Sequence, residues 1–163
     1  MRSNGLRYIR IPYKQYTMKT IFDKATRDEL ATRINSLNEQ SAAQWGKMNV
    51  SQMVKHCAQF DEMALGKTKY KQSFLGKLFG KVALKDVMKD QPMKKNLPTV
   101  PSFVIRETGN LAEEKKRWLA LLDEYSQFNN DGFIHPFFGT MIKENTGYIA
   151  YKHADHHLRQ FNS

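Results

Sequence analysis

The stretch Tyr151-Lys152-His153-Ala154-Asp155-His156-His157-Leu158-Arg159-Gln160-Phe161, near the C-terminus, holds three of the chain's five histidines. No Gly or Pro interrupts it, so a helix is open to it. At ~100° per residue, His153 and His157 share the inward half of such a helix, and Gln160 stands beside them. Tyr151, Ala154, Leu158 and Phe161 form an adjoining apolar arc, while Lys152, Asp155 and Arg159 take the far side. His156 lies nearer the boundary. Asp155, on the charged side, reads as a salt-bridge residue. Side chains four apart on a helix have Cβ atoms about 5–6 Å apart. Ordinary rotamers can then bring two imidazoles onto one ion at about 2.0–2.1 Å. Two inward imidazoles also cost desolvation unless hydrogen bonds or a metal satisfy them. The pattern points to a metal site.

A second inward histidine lies upstream. Asn49-Val50-Ser51-Gln52 has the form of a capping box, so a helix is expected from about Asn49 to Leu65, with Gly66 as its terminating residue. Met53, His56, Phe60 and Met63 follow one face of it. His56 is either a core histidine bonded to a carbonyl or a third ligand. Three histidines with positions left over for water make an open, catalytic type of site. Cys57, the single cysteine, excludes an internal disulfide and reads as a small buried apolar residue.

Other helix signals fill the chain. Thr26-Arg27-Asp28-Glu29 is read as a capping box ahead of Leu30, Ile34 and Leu37. Asn110-Leu111-Ala112-Glu113 is read as another, leading through Trp118, Leu122, Tyr125 and Phe128. The last helix is expected to begin near Thr146, with Gly147 just inside it. Residues 67–109 carry Pro92, Pro98 and Pro101 and form a long crossover, with room for a short basic helix over Phe74–Met88. No repeat and no convincing strand alternation is present. The expected fold is all-α, four helices with a long crossover between the second and third.

The 163 residues suffice for one domain with its own core. Residues 1–17 carry four basic residues and no acidic one, and are read as a flexible leader or a mis-called start. The domain is then 18–163, since Met18-Lys19-Thr20-Ile21-Phe22 resembles a natural beginning. With no apolar signal-peptide core and no membrane-spanning run, a cytoplasmic location and no membrane partner are expected.

The inward His56 and the terminal H-x-x-H-H-x-x-Q motif resemble the DinB/YfiT-like superfamily of metal-binding four-helix bundles. The likeness is nearer to one uncharacterised, domain-of-unknown-function branch. Its marks are Trp45-Gly46-Lys47-Met48, Met53-Val54-Lys55-His56-Cys57, His135-Pro136-Phe137-Phe138-Gly139 and the motif from His153 to Phe161. The resemblance covers Met18 to the C-terminus. It implies a bundle with the crossover between helices two and three, and a divalent metal held by His56, His153 and His157. Some relatives transfer low-molecular-weight thiols, and others are metal-dependent hydrolases or isomerases. Fold alone does not carry the reaction over.

Three neutral imidazoles leave a divalent ion its full charge, so the expected chemistry is activation of water or of a thiol. Zinc and nickel lead as the metal; iron and manganese also suit such donors. His135 is either packed on the aromatic rings of Phe133–Phe138 or acts beside the metal ligands as a proton shuttle. Gln160 either caps the helix end or orients a ligand. His135 and Gln160 are therefore the catalytic candidates. The expected function is a divalent-metal-dependent hydrolase or thiol S-transferase acting on a small molecule, anionic or a low-molecular-weight thiol. Monomer and homodimer are both open. The rival class is a non-catalytic basic protein that binds nucleic acid or an acidic partner. The net charge of +10 and nine lysines between Lys67 and Lys95 motivate it. The stretch from Lys67 to Lys95 has no arginine and no nucleic-acid motif, which favours a solvated basic surface.

Overall fold

The computed structural model describes residues 18–163, and the leader expected over 1–17 lies outside the described residues. The chain is mostly helical. Among the described residues there are five helices, α1 (Lys24–Ser36), α2 (Val50–Ala64), α3 (Phe74–Val87), α4 (Leu111–Glu124) and α5 (Lys143–Gln160), with a two-stranded antiparallel hairpin, β1 (Gly132–His135) and β2 (Gly139–Ile142), between the last two. Both α1 and α2 pack against α4 and α5. Their shared core includes Leu30, Ile34, Met53, Met63, Trp118, Leu122 and Leu158, all with at most 1% of their surface exposed. Removing such side chains from water drives the helices together, at about 1.5–3 kcal/mol for each large aliphatic one.

The ends of α2 follow from its sequence. The Asn49 side chain accepts the Gln52 backbone N–H at 2.8 Å, and the Asn49 N–H donates to Gln52 Oε1 at 3.0 Å. At the other end Gly66 takes φ +79°. Its N–H reaches the Met63 carbonyl at 3.0 Å, and the Lys67 N–H reaches the Glu62 carbonyl at 2.9 Å. This is a Schellman ending, which needs a residue tolerant of left-handed backbone.

Elsewhere the elements differ from the expectations. Thr26 is no cap: α1 starts after Asp23, and Thr26 is buried inside its first turn. The helix start is held instead by the Arg27 guanidinium, which donates to the carbonyls of Ile21 and Phe22. Asn110 does cap α4, accepting the Glu113 N–H at 3.1 Å. That helix stops at Glu124, and Tyr125–Gln127 form a tighter 3-10 turn. The final helix begins one turn early, at Lys143, with the Thr146 hydroxyl donating back to the Ile142 carbonyl. No strand is expected from the sequence, yet the aromatic segment Phe133–Phe138 lies in the β1–β2 hairpin. Its three-residue connection, Pro136 to Phe138, closes on Gly139 at φ +83°. A left-handed glycine after a three-residue loop is a usual hairpin ending.

Lys152 is the plainest departure. The helical wheel places it among solvated charges, yet it is 7% exposed. Its ammonium donates to the carbonyls of Val87, Lys89 and Gln91 at 2.6, 2.7 and 2.7 Å. The end of α3 leaves carbonyls without helical partners, and a cation there is doubly favoured by hydrogen bonding and the helix dipole. Lys152 thus ties the crossover helix to α5. On its inner side α3 offers Gly76 and Gly80. A Cβ on either would stand within 2.6 Å of the Phe137 carbonyl, so both glycines let α3 lie directly on the hairpin turn.

Candidate metal centre

His56 on α2 and His153 and His157 on α5 converge. Their ring centroids form a nearly equilateral triangle, 5.0 Å between His56 and His153, 4.8 Å between His56 and His157, and 4.7 Å between His153 and His157. One nitrogen of each lies within 4.8 Å of the others. The Nε2 atoms of His56 and His153 are 3.1 Å apart. His56 and His157 are buried, and His153 is half-buried.

The hydrogen bonds of two rings determine which nitrogen is free. His56 Nδ1 lies 3.1 Å from the Phe103 carbonyl, which can only accept, so Nδ1 carries the proton. His157 Nδ1 lies 2.8 Å from Gln160 Oε1. The Gln160 amide is itself oriented, because its Nε2 donates to the Trp45 carbonyl at 2.6 Å. Gln160 Oε1 must therefore accept from His157. Both rings keep an unprotonated Nε2 directed into the cluster. An acceptor behind each imidazole is the usual support of a metal-ligating histidine. His153 is held differently, with its ring against Phe60 at 4.4 Å.

Electrostatics agree with this assignment. Burial lowers the pKa of His56 below the ordinary 6.5, against the opposing pull of the Phe103 carbonyl. Burial pushes His153 and His157 well below it, and the neighbouring imidazoles add to the effect. Neutral imidazole is the form that ligates. Among the described residues these three histidines could hold a metal ion, and a donor set of three neutral nitrogens fits a divalent one.

The remaining candidates fall around the cluster. His156 stands outside the triangle, with its ring 5.6 Å from Trp45 and 5.1 Å from His157. His135, the last residue of β1, is stacked on Phe138 at 4.4 Å and lies 6.3 Å from the Phe103 ring. Its Nδ1 accepts two backbone N–H groups, from Phe137 and Phe138, each at 3.1 Å. The proton must then sit on Nε2. Burial lowers the His135 pKa to about 4, which keeps the ring neutral. Asp155 pairs with Arg33 at 2.9 Å and Arg159 at 3.7 Å, a structural role. Cys57 is buried in the core.

Two supports of the site carry no sequence signal, since the Phe103 and Trp45 partners are backbone carbonyls. A third feature was legible in principle. Asp61 on α2 is 3% exposed and accepts from Trp118 Nε1–H and the Tyr125 hydroxyl, both at 2.8 Å. Burial raises its pKa to about 7, against the lowering effect of both donors. Two buried aromatic donors, Trp118 on α4 and Tyr125 just past its end, require such an acceptor.

The chain belongs to the family described as "Protein of unknown function (DUF1569)", whose model matches residues 18–163. No curated protein and no solved structure matches the chain.

Proposed function

We propose that His56, His153 and His157 bind one divalent metal ion and that the chain is a metal-dependent enzyme of hydrolase or thiol-transferase type. The observation that carries this reading is the pair of oriented imidazoles. His56 and His157 each give up Nδ1–H to a carbonyl oxygen and turn a bare Nε2 toward the same point. Core histidines need hydrogen bonds, but they do not need two oriented imidazoles turned toward a third. Zinc or nickel suits this set best, with iron and manganese as further candidates. We also propose a DinB-like bundle. The mutual packing of α1, α2, α4 and α5, with the crossover between α2 and α4, supports it.

A divalent ion held by three neutral nitrogens supplies a full positive charge, which lowers the pKa of a water or thiol (for water from about 15.7 toward ~7 in the zinc case). The chain's own residues do the rest. Gln160 and the Phe103 carbonyl orient two ligands. The Phe60 and Phe103 rings line the cluster and exclude bulk water. His135 presents Nε2–H, and so serves as a hydrogen-bond donor to substrate and not as a base. A substrate with a carbonyl or an electrophilic carbon fits both reaction types.

The test is metal-dependent turnover. Chelated and ion-reloaded protein are assayed on activated esters and on low-molecular-weight thiols with electrophilic acceptors. Turnover should return with the ion and be absent in a folded His153→Ala variant. Metal binding without turnover on either class would leave a binding protein and remove the enzyme reading. Failure to bind metal would remove both.

A further inference from the structure

The helix α3 turns an apolar face to solvent. Phe74, Leu75, Leu78, Phe79 and Val82 are 75, 60, 57, 57 and 73% exposed. At ~100° per residue these five occupy one continuous arc, on the side away from Gly76 and Gly80, which pack on the hairpin turn. Isolated exposed apolar residues are ordinary, but five on one face of one helix are a patch. Lys77 and Lys81 are exposed along one border of the arc, and exposed Lys85 and half-buried Asp86 fall inside it. The only acidic residue of α3, Asp86, is already engaged by Lys89 at 2.7 Å and Lys94 at 3.2 Å.

We propose that this face of α3 docks on a bilayer surface that contains anionic phospholipid. An amphipathic helix with aromatic and aliphatic residues on one side and lysines at the border lies flat in the headgroup region. At 14 residues α3 is about 21 Å long, too short to span a bilayer and long enough to lie along one. Charge decides among the occupants. Pairing two copies through this face would bring two sets of Lys77, Lys81 and Lys85 together with no free acidic partner on α3. Residues 1–17 add four basic residues and no acidic one, so they are repelled likewise. An anionic lipid surface satisfies the lysines and receives the apolar side chains at once. Both ends of the helix are tied to the rest of the fold: Lys152 donates to the carbonyl of Val87, its last residue, and the Ser73 N–H just ahead of it donates to the Pro136 carbonyl at 2.8 Å. The absence of a membrane-spanning run gave no reason to expect membrane contact. The reason lies in which side of α3 faces outward.

The experiment is vesicle flotation of the full chain. Vesicles of phosphatidylcholine alone are compared with vesicles containing about 30% phosphatidylglycerol, where three lysines near the surface should tighten binding about 10- to 100-fold. High salt should remove most of that difference. The double variant Leu78→Asp/Val82→Asp alters two exposed side chains, so it should keep the wild-type circular dichroism and melt while losing about 10-fold or more of the vesicle binding. Lys77→Gln/Lys81→Gln/Lys85→Gln should lose the preference for anionic lipid. The proposal is overturned if the protein floats with neither vesicle, or equally with both. Wild-type binding by the Leu78→Asp/Val82→Asp variant would also overturn it, by placing the contact elsewhere in the chain. So would a solution dimer that this variant dissociates and that ignores vesicles.

Discussion

Gln160 offers the sharpest test of how the cluster is held. Replacing it by Leu keeps the volume and removes the acceptor that faces His157 Nδ1 at 2.8 Å. It also removes the amide donor to the Trp45 carbonyl at 2.6 Å. Gln160 is 3% exposed, so water cannot easily take either place. The buried Nδ1–H is then left unpaired, at a cost of about 1–3 kcal/mol. The ring has a way to escape this cost: its proton can move to Nε2, the atom that must be bare to ligate. Loss of a hydrogen bond behind a ligating histidine typically weakens metal binding about 10- to 100-fold, or roughly 1.4–2.7 kcal/mol. The assay is competition against a chromophoric chelator, alongside nitrogen NMR of the His157 tautomer in apo protein. Wild type should show His157 protonated at Nδ1, and Gln160→Leu should shift that population toward Nε2–H and weaken binding. A folded Gln160→Leu protein with unchanged affinity would refute the relay from Trp45 through Gln160 to His157.

Three further outcomes follow from the structure. Saturation with metal at about 100 times Kd should raise the melting temperature by about 5–10 °C, and chelated protein should still melt in one cooperative step, because the apolar core does not depend on the ion. Lys152→Met should destabilise the fold by about 1–3 kcal/mol by abandoning three part-buried carbonyl contacts, with hydrogen exchange rising first at the C-terminal end of α3. Asp61 should make stability depend on pH: its folded pKa of about 7 lies above its ordinary 3.8, so between these values the folded protein keeps a proton that the unfolded chain has lost. Its contribution is therefore fully present below about pH 4 and declines as pH rises toward 7. In chelated protein, the stability difference between wild type and Asp61→Asn should move against wild type across that window, and a pH-independent difference would contradict the raised pKa.

The parts of this structure legible in the sequence are those written in side chains at fixed spacing. The Asn49–Gln52 box, Gly66 at the end of α2, and His56 in an apolar stripe all rest on local rules, and local geometry obeyed them. The pairing of His153 with His157 is likewise a helical spacing. What stayed hidden depends on partners distant in sequence. Thr26 looks like a cap, but Arg27 satisfies the carbonyls ahead of α1, so the helix starts a turn earlier. Lys152 looks solvated, because nothing local tells that the end of α3 lies above it. The hairpin escaped notice because β1 and β2 are four residues each, with aromatic residues that also suit a loop. The acceptors behind His56 and His157 were legible only by half: Gln160 is a side chain, whereas the Phe103 and Trp45 carbonyls are backbone groups that any residue would supply.

The central claim is that His56, His153 and His157 together hold one metal ion. Elemental analysis of tag-free protein, purified without an immobilised-metal column and dialysed against a mixture of divalent ions, tests it directly. About one ion per chain is expected in wild type and in His156→Ala, whose ring stands outside the triangle. His153→Ala and His157→Ala should retain almost none. Wild-type protein without bound metal, or equal loss from His156→Ala and His157→Ala, would contradict the assignment.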